Sequence, residues 1–196
     1  MIGIELLRLM NKNALILHGT GGNSTSNWFP WLKEELEKIG YEVWVPDLPG
    51  AGAPNVKIYT EFLLNSGFKF GQDTIIIGHS SGSVEIFDLL QSLPENIKTG
   101  PVYLVGSFMD DLDRVDLKGL FLKPFDFEKI KTKAKKFIFF HSDDDPYCPL
   151  DHAKYLSEKT SGELVIISGQ KHFSISTSGE RYKEFSELLE KIKDNE

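Results

Sequence analysis

The chain has 196 residues, 40% of them hydrophobic and 26% charged, with a formal net charge of -7 and a pI near 5.3. That length suggests one domain, residues 1–196, built on a single sizeable core. The acidic balance argues against nucleic acid or an anionic membrane as the main partner, and no stretch approaches the ~18 apolar residues of a membrane span.

In chain order, Met1 to Met10 are mildly apolar but contain Glu5 and Arg8. They lack the basic start, apolar run and cleavage site of a signal peptide. Met10 is an alternative start, because the first convincing strand follows it. Ala14 to Leu17 is apolar throughout, as a strand buried on both faces should be. Trp28 to Ile39 places Trp28, Trp31, Leu32, Leu36 and Ile39 on one helical face and stops at Gly40. Val43 to Val45 and Thr74 to Ile77 are the next strands, and a helix over Val84 to Leu93 ends at Pro94. Val102 to Val105, Phe137 to Phe140 and Leu164 to Ile167 bring the strands to six. Helices are expected over Asp151 to Lys159 and Glu180 to Lys193. Buried strands alternating with helices imply a mostly parallel sheet covered on both faces, with chemistry at the carboxyl ends of its strands. Residues 107–133 break the rhythm. They hold Asp110, Asp111, Asp113 and Asp116, then Phe121, Phe125 and Phe127, and read as a small cap. The basic run Lys129 to Lys136 is interrupted and reads as a solvated helix face.

The chemistry starts at Gly78-His79-Ser80-Ser81-Gly82. A Gly-x-Ser-x-Gly string means little alone, but this one follows a buried strand and opens a helix. There a sharp turn lifts the serine hydroxyl off the sheet. The spacing selects Ser80 as nucleophile, leaves Ser81 to offer its backbone N–H to an oxyanion, and makes His79 a packing residue. The first strand ends in His18-Gly19-Thr20-Gly21-Gly22, and the Thr20 backbone N–H is the second expected oxyanion donor. Gly19-x-Gly21-x-x-Ser24, with Asp47 after the second strand, also approximates a dinucleotide-binding loop. Its third glycine is missing, and no cofactor is expected.

A serine nucleophile needs a base and an acid, in the order Ser, Asp or Glu, His for this fold class. His172 lies after the sixth strand, where the base belongs. The fifth strand runs into Ser142-Asp143-Asp144-Asp145-Pro146. The spacing does not choose among these three acids, and neither a metal site nor plain solvation of Asp143 and Asp144 is excluded by it. No metal is expected, since good sites gather ligands from several positions.

These motifs, together with Pro149, Lys171-His172-Phe173 and Pro124 to Ile130, resemble the small serine hydrolases related to retinoblastoma-binding protein nine. The resemblance runs from about Ala14 to the C-terminus. It implies a compact α/β-hydrolase without the first two strands of larger relatives, and an esterase-type activity. The family's acid stands directly before a Pro-x-x-Pro segment, which implies Asp145. The family name implies a Leu-x-Cys-x-Glu motif, but the lone cysteine here lies in Tyr147-Cys148-Pro149-Leu150. Retinoblastoma-protein binding is therefore not expected.

The expectation is a serine hydrolase that cleaves a small acyl substrate through Ser80, Asp145 and His172. Trp28, Phe108 and Tyr147 are the foremost candidates for the pocket wall, with Phe29, Met109 and Phe121 beside them. A short cap favours short acyl chains. A catalytically silent module on the same fold is the rival reading. The lone cysteine allows no intrachain disulfide and fits a reducing compartment, read as the cytoplasm.

Overall fold

The structure, a computed structural model, describes residues 12–196. The alternative start at Met10 and the leader reading of Met1 to Met10 lie outside the described residues. Six strands, β1 (Asn13–Leu17), β2 (Glu42–Trp44), β3 (Thr74–His79), β4 (Thr99–Val105), β5 (Ala134–His141) and β6 (Glu163–Ile166), form one sheet in the order β2-β1-β3-β4-β5-β6. Every pairing is parallel.

Side chains alternate between the two faces of a strand. Ala14, Ile16, Ile75, Ile77, Tyr103, Val105, Ile138 and Phe140 therefore share one core. Leu15, Leu17, Ile76, Val102, Leu104, Phe137 and Phe139 share the other. Each fully buried Leu, Ile or Phe contributes about 1.5–3 kcal/mol relative to exposure, so both faces need cover. Helices α1 (Phe29–Lys38) and α7 (Ser186–Lys193) cover the first. Helices α2 (Val56–Asn65), α3 (Ser81–Ser92) and α5 (Leu150–Thr160) cover the second.

Two elements differ from the sequence reading. Helix α2 was not anticipated, because exposed Ile58, Phe62 and Leu64 blur its buried stripe of Val56, Tyr59, Thr60 and Leu63. Its signal was Asn55, whose side chain accepts the Lys57 and Ile58 amides as an N-cap. The helix expected over Glu180 to Lys193 is broken. A 3-10 turn, Gly179–Lys183, follows a short helix α6 (Ile175–Ser178), and Glu184 and Phe185 are non-helical before α7 begins. The break lets Tyr182 and Phe185 both enter an aromatic cluster with Trp28, Phe140 and Phe173.

Residues 107–133 hold a 3-10 helix (Val115–Leu120) and one short turn, α4 (Phe127–Ile130). Phe108, Leu117 and Leu120 are buried against Val56, Val84 and Cys148. No helix among the described residues is long and apolar enough to cross a membrane.

Candidate active site

Ser80 stands between β3 and α3 with φ 55° and ψ -124°, a region that L-residues rarely occupy. Gly78 and Gly82 permit this turn. A Cβ on Gly82 would lie 2.5 Å from the Leu17 carbonyl oxygen, and one on Gly78 would lie 2.6 Å from Ser83 Cα. The turn is tied down on several sides. Ser80 N–H donates to the Val105 carbonyl at 2.8 Å, and the Ser83 hydroxyl donates to the Ser80 carbonyl at 2.6 Å.

Thr20 and Ser81 are brought side by side: the Thr20 hydroxyl donates to Ser81 Oγ at 3.0 Å. Neither backbone N–H has an acceptor among the described residues, and Ser81 opens the 12-residue helix α3. Two free amides and the positive end of a helix dipole thus sit beside Ser80. His18 fixes the loop that carries Thr20. Its Nε2 accepts the Leu48 amide at 2.9 Å, so Nδ1 carries the proton and donates to the Gly19 carbonyl at 2.9 Å. Burial lowers the pKa of His18, in keeping with this neutral tautomer.

His172 and Asp145 meet across two loops. His172 Nδ1 donates to Asp145 Oδ2 at 2.7 Å, and the Asp145 side chain is fully buried. Asp145 Oδ1 accepts the amides of Tyr147 and Cys148 at 2.9 and 3.0 Å. Burial alone would raise this carboxyl. The hydrogen bond and charge of His172, with the two amides, outweigh it and hold the pKa below the usual value. With Nδ1 protonated, His172 Nε2 is an acceptor. The Ser80 hydroxyl makes no hydrogen bond among the described residues. Such contacts often tighten only when substrate is bound.

His79 is closer to this pair than the sequence reading placed it. Its Nε2 donates to the His172 carbonyl at 2.8 Å, and the two rings lie 4.8 Å apart. Complete burial, reinforced by the neighbouring His172, lowers its pKa to about 3. It stays neutral and props the His172 backbone.

Asp143 and Asp144, open at the sequence level, both have partners. Asp143 accepts the Ser168 hydroxyl at 2.7 Å and the Gly169 amide at 3.0 Å. Asp144 accepts the Lys171 amide at 2.7 Å and the Ser142 hydroxyl at 2.8 Å. The three adjacent acids therefore grip three successive parts of the loop that ends in His172. Gly106, after β4, was also missed. Its φ is +61°, and a Cβ there would lie 3.0 Å from His172 Cε1.

A cavity of about 480 Å³ opens over Ser80 and His172. Phe108 and Tyr147 line it, and Tyr147 stands edge-on to the His172 ring at 5.1 Å. Trp28 does not line it. It is completely buried, donates through Nε1 to the Phe173 carbonyl at 3.1 Å, and packs on Phe29, His79 and Phe185. Its indole is worth more in the aromatic core, where the N–H also finds a partner. Phe29 does reach the cavity, whereas Met109 and Phe121 face a separate groove. Leu112, Arg114 and Leu117, from residues 107–133, complete the wall; nothing in their sequence pattern marked them.

Asp145, Cys148 and His172 also place one ligand-type atom each within 4.8 Å of one another. They suit a metal poorly. Both Asp145 oxygens are engaged, and burial pushes the Cys148 thiol well above its ordinary pKa. The dinucleotide reading of the Gly19 loop meets a similar obstacle. The Asp47 carboxylate accepts the Ser24 amide at 2.6 Å and so closes that loop itself.

This geometry coincides with a match of residues 14–191 to the family model described as serine hydrolase. The chain belongs to the serine hydrolase family. It is similar to the serine hydrolase RBBP9 of Rattus norvegicus, 28% identical over 185 residues, which cover 92% of this chain and 93% of the relative. It is equally similar, 28% over 165 residues, to YdeN of Bacillus subtilis, a hydrolase by name, covering 84% of this chain and 87% of YdeN. The crystal structure of the ydeN gene product superposes with a TM-score of 0.87 at 24% identity, over 94% of this chain and 98% of that one. The chain is thus a serine hydrolase by family, similar to RBBP9 and YdeN, and it shares the fold of the ydeN gene product.

Proposed function

We propose that Ser80, His172 and Asp145 are the catalytic triad, and that the chain transfers an acyl group from a small ester to water. His172 Nε2 takes the proton of Ser80 as Oγ attacks the carbonyl carbon. The Thr20 and Ser81 amides receive the oxyanion. Collapse of the tetrahedral adduct expels the alcohol, which takes its proton from His172, and leaves the acyl-enzyme. Water, deprotonated by His172, attacks the same carbonyl and frees the acid and Ser80. Asp145 holds the tautomer of His172 and stabilises its charged form. The single observation carrying this reading is the 2.7 Å bond from His172 to a fully buried, ionised Asp145, next to a serine held at φ 55°.

Residues 107–133 act as a partial cap on one domain, walling the cavity through Phe108, Leu112 and Leu117. The modest cavity supports short acyl chains. The buried, unpaired Cys148 supports a reducing compartment such as the cytoplasm. The absence of a Leu-x-Cys-x-Glu motif supports independence from retinoblastoma-type partners.

A fluorophosphonate probe tests the triad. Labelling of the wild type and none of Ser80→Ala is expected. Nitrophenyl ester turnover should fall on the order of 10⁶-fold in kcat in the same variant. An unlabelled but folded wild type would sink the proposal and favour a silent scaffold, and equal labelling of Ser80→Ala would sink it by placing the reactive nucleophile elsewhere.

A further inference from the structure

Among the described residues, the wall of the cavity over Ser80 contains one permanently charged side chain, Arg114, and no Asp or Glu. That is unusual ground in a chain of net charge -7. Arg114 is not a free-swinging cation. Its Nε donates to Asp116 Oδ1 at 3.2 Å and its Nη2 to Asp116 Oδ2, a two-pronged pair that fixes the plane of the guanidinium. Asp116 does not line the cavity, so it holds Arg114 from outside. A guanidinium has five N–H donors. Asp116 takes two, and the remaining three have no acceptor among the described residues. The same wall offers the polar side chains of Ser26, Asn27, Ser174 and Ser176.

A fixed planar cation with unspent donors, on the wall of an acyl pocket, matches a carboxylate. We infer that the substrate carries a carboxylate besides its scissile acyl bond, and that Arg114 binds it. This rests on the proposed acyl-transfer site and names its substrate class: an ester with an acidic arm, on either the acyl or the alcohol side. Arg114 is a specificity residue in this view, apart from the reacting atoms. Its side chain is 48% exposed, so solvent screens it and the effect belongs at the low end for a charge-assisted hydrogen bond, about tenfold in selectivity.

Two matched pairs of esters test it. One sets 4-nitrophenyl hydrogen adipate against 4-nitrophenyl hexanoate; the other sets 4-carboxyphenyl butyrate against phenyl butyrate. The ratio of kcat/KM, charged over neutral and corrected for the uncatalysed rates, is read in wild type and Arg114→Gln. The wild type should favour the carboxylate ester in at least one pair, and Arg114→Gln should lower that ratio about tenfold. Arg114→Met keeps the aliphatic stem and repeats the test should the Gln variant misfold. No wild-type preference in either pair, or a preference untouched by both variants, overturns the inference. Calorimetry on Ser80→Ala with hydrogen adipate nitrophenyl ester separates this from the chemistry. If no ester is turned over, acyl transfer fails by itself. Binding that depends on Arg114 would still uphold the carboxylate site, and absence of binding would overturn it.

Discussion

The two loops that carry Asp145 and His172 are held differently from residues 107–133, although both regions face the same cavity. Asp143, Asp144, Asp145 and Ser142 join the acid loop to the base loop by hydrogen bonds that reach 25 to 28 residues along the chain. Between Leu112 and Phe121 the hydrogen bonds are all local, spanning two or three residues. That wall is anchored by the burial of Leu117 and Leu120, while Val115 is 79% exposed. Reacting groups must be held to a fraction of an ångström, because a 1 Å error costs about 10²-fold in rate. A wall that selects substrates needs only shape and charge, so local turns and apolar packing suffice.

Asp145→Asn breaks the comparison where it is strongest. An amide at this position stabilises the wrong tautomer of His172, and kcat should fall on the order of 10⁴-fold with little change in fold. Ester kinetics beside a thermal melt check this; a loss below tenfold would mean that another acid serves His172.

Asp144→Ala removes the acceptor for the Lys171 amide, and with it the grip just before His172. We expect kcat to drop roughly 10–100-fold while KM changes little. Asp144→Asn, which keeps an oxygen at that point, should recover part of the rate. A general loss of stability with kcat intact would make Asp144 a fold residue only.

The same grip has a pH signature. Hydrogen bonds to Ser168 and Gly169 lower the pKa of Asp143, and those to Lys171 and Ser142 lower that of Asp144, both from the ordinary 3.8. A depressed carboxyl contributes stability that is full above its unfolded pKa and is lost as pH falls through the folded one. The wild type should therefore lose melting temperature below about pH 4, and the double variant Asp143→Asn, Asp144→Asn should lose less of it there. Melts from roughly pH 5 to 2.5 read the difference, and parallel curves would detach these two acids from the clamp's acid lability.

The smallest effect is expected on the wall. Val115→Ser, exposed and outside the cavity lining, should shift stability by less than about 0.5 kcal/mol. Its ester kinetics should match the wild type. A larger effect would show that this segment packs more tightly than its exposure suggests.

The sheet was legible in the chain, because strands buried on both faces leave short apolar, β-branched-rich runs that alternate with helical patterns. The sequence also pointed to Ser80 and His172 as candidates, because their neighbours are constrained locally: two glycines around a strained turn, and a loop after the last strand. The choice of Asp145 came from a resemblance, since three adjacent acids are alike until their partners are known. Only the tertiary structure gave Asp143 and Asp144 their partners, bound Trp28 into the core rather than the pocket, and broke the C-terminal helix to admit Phe185. It alone placed Arg114 on the wall. The physical reason is the same in each case. A turn or a strand is specified by neighbours a few residues away, whereas a hydrogen-bond partner 27 residues distant, or a pocket-facing side chain in an irregular segment, exists only once the chain has packed.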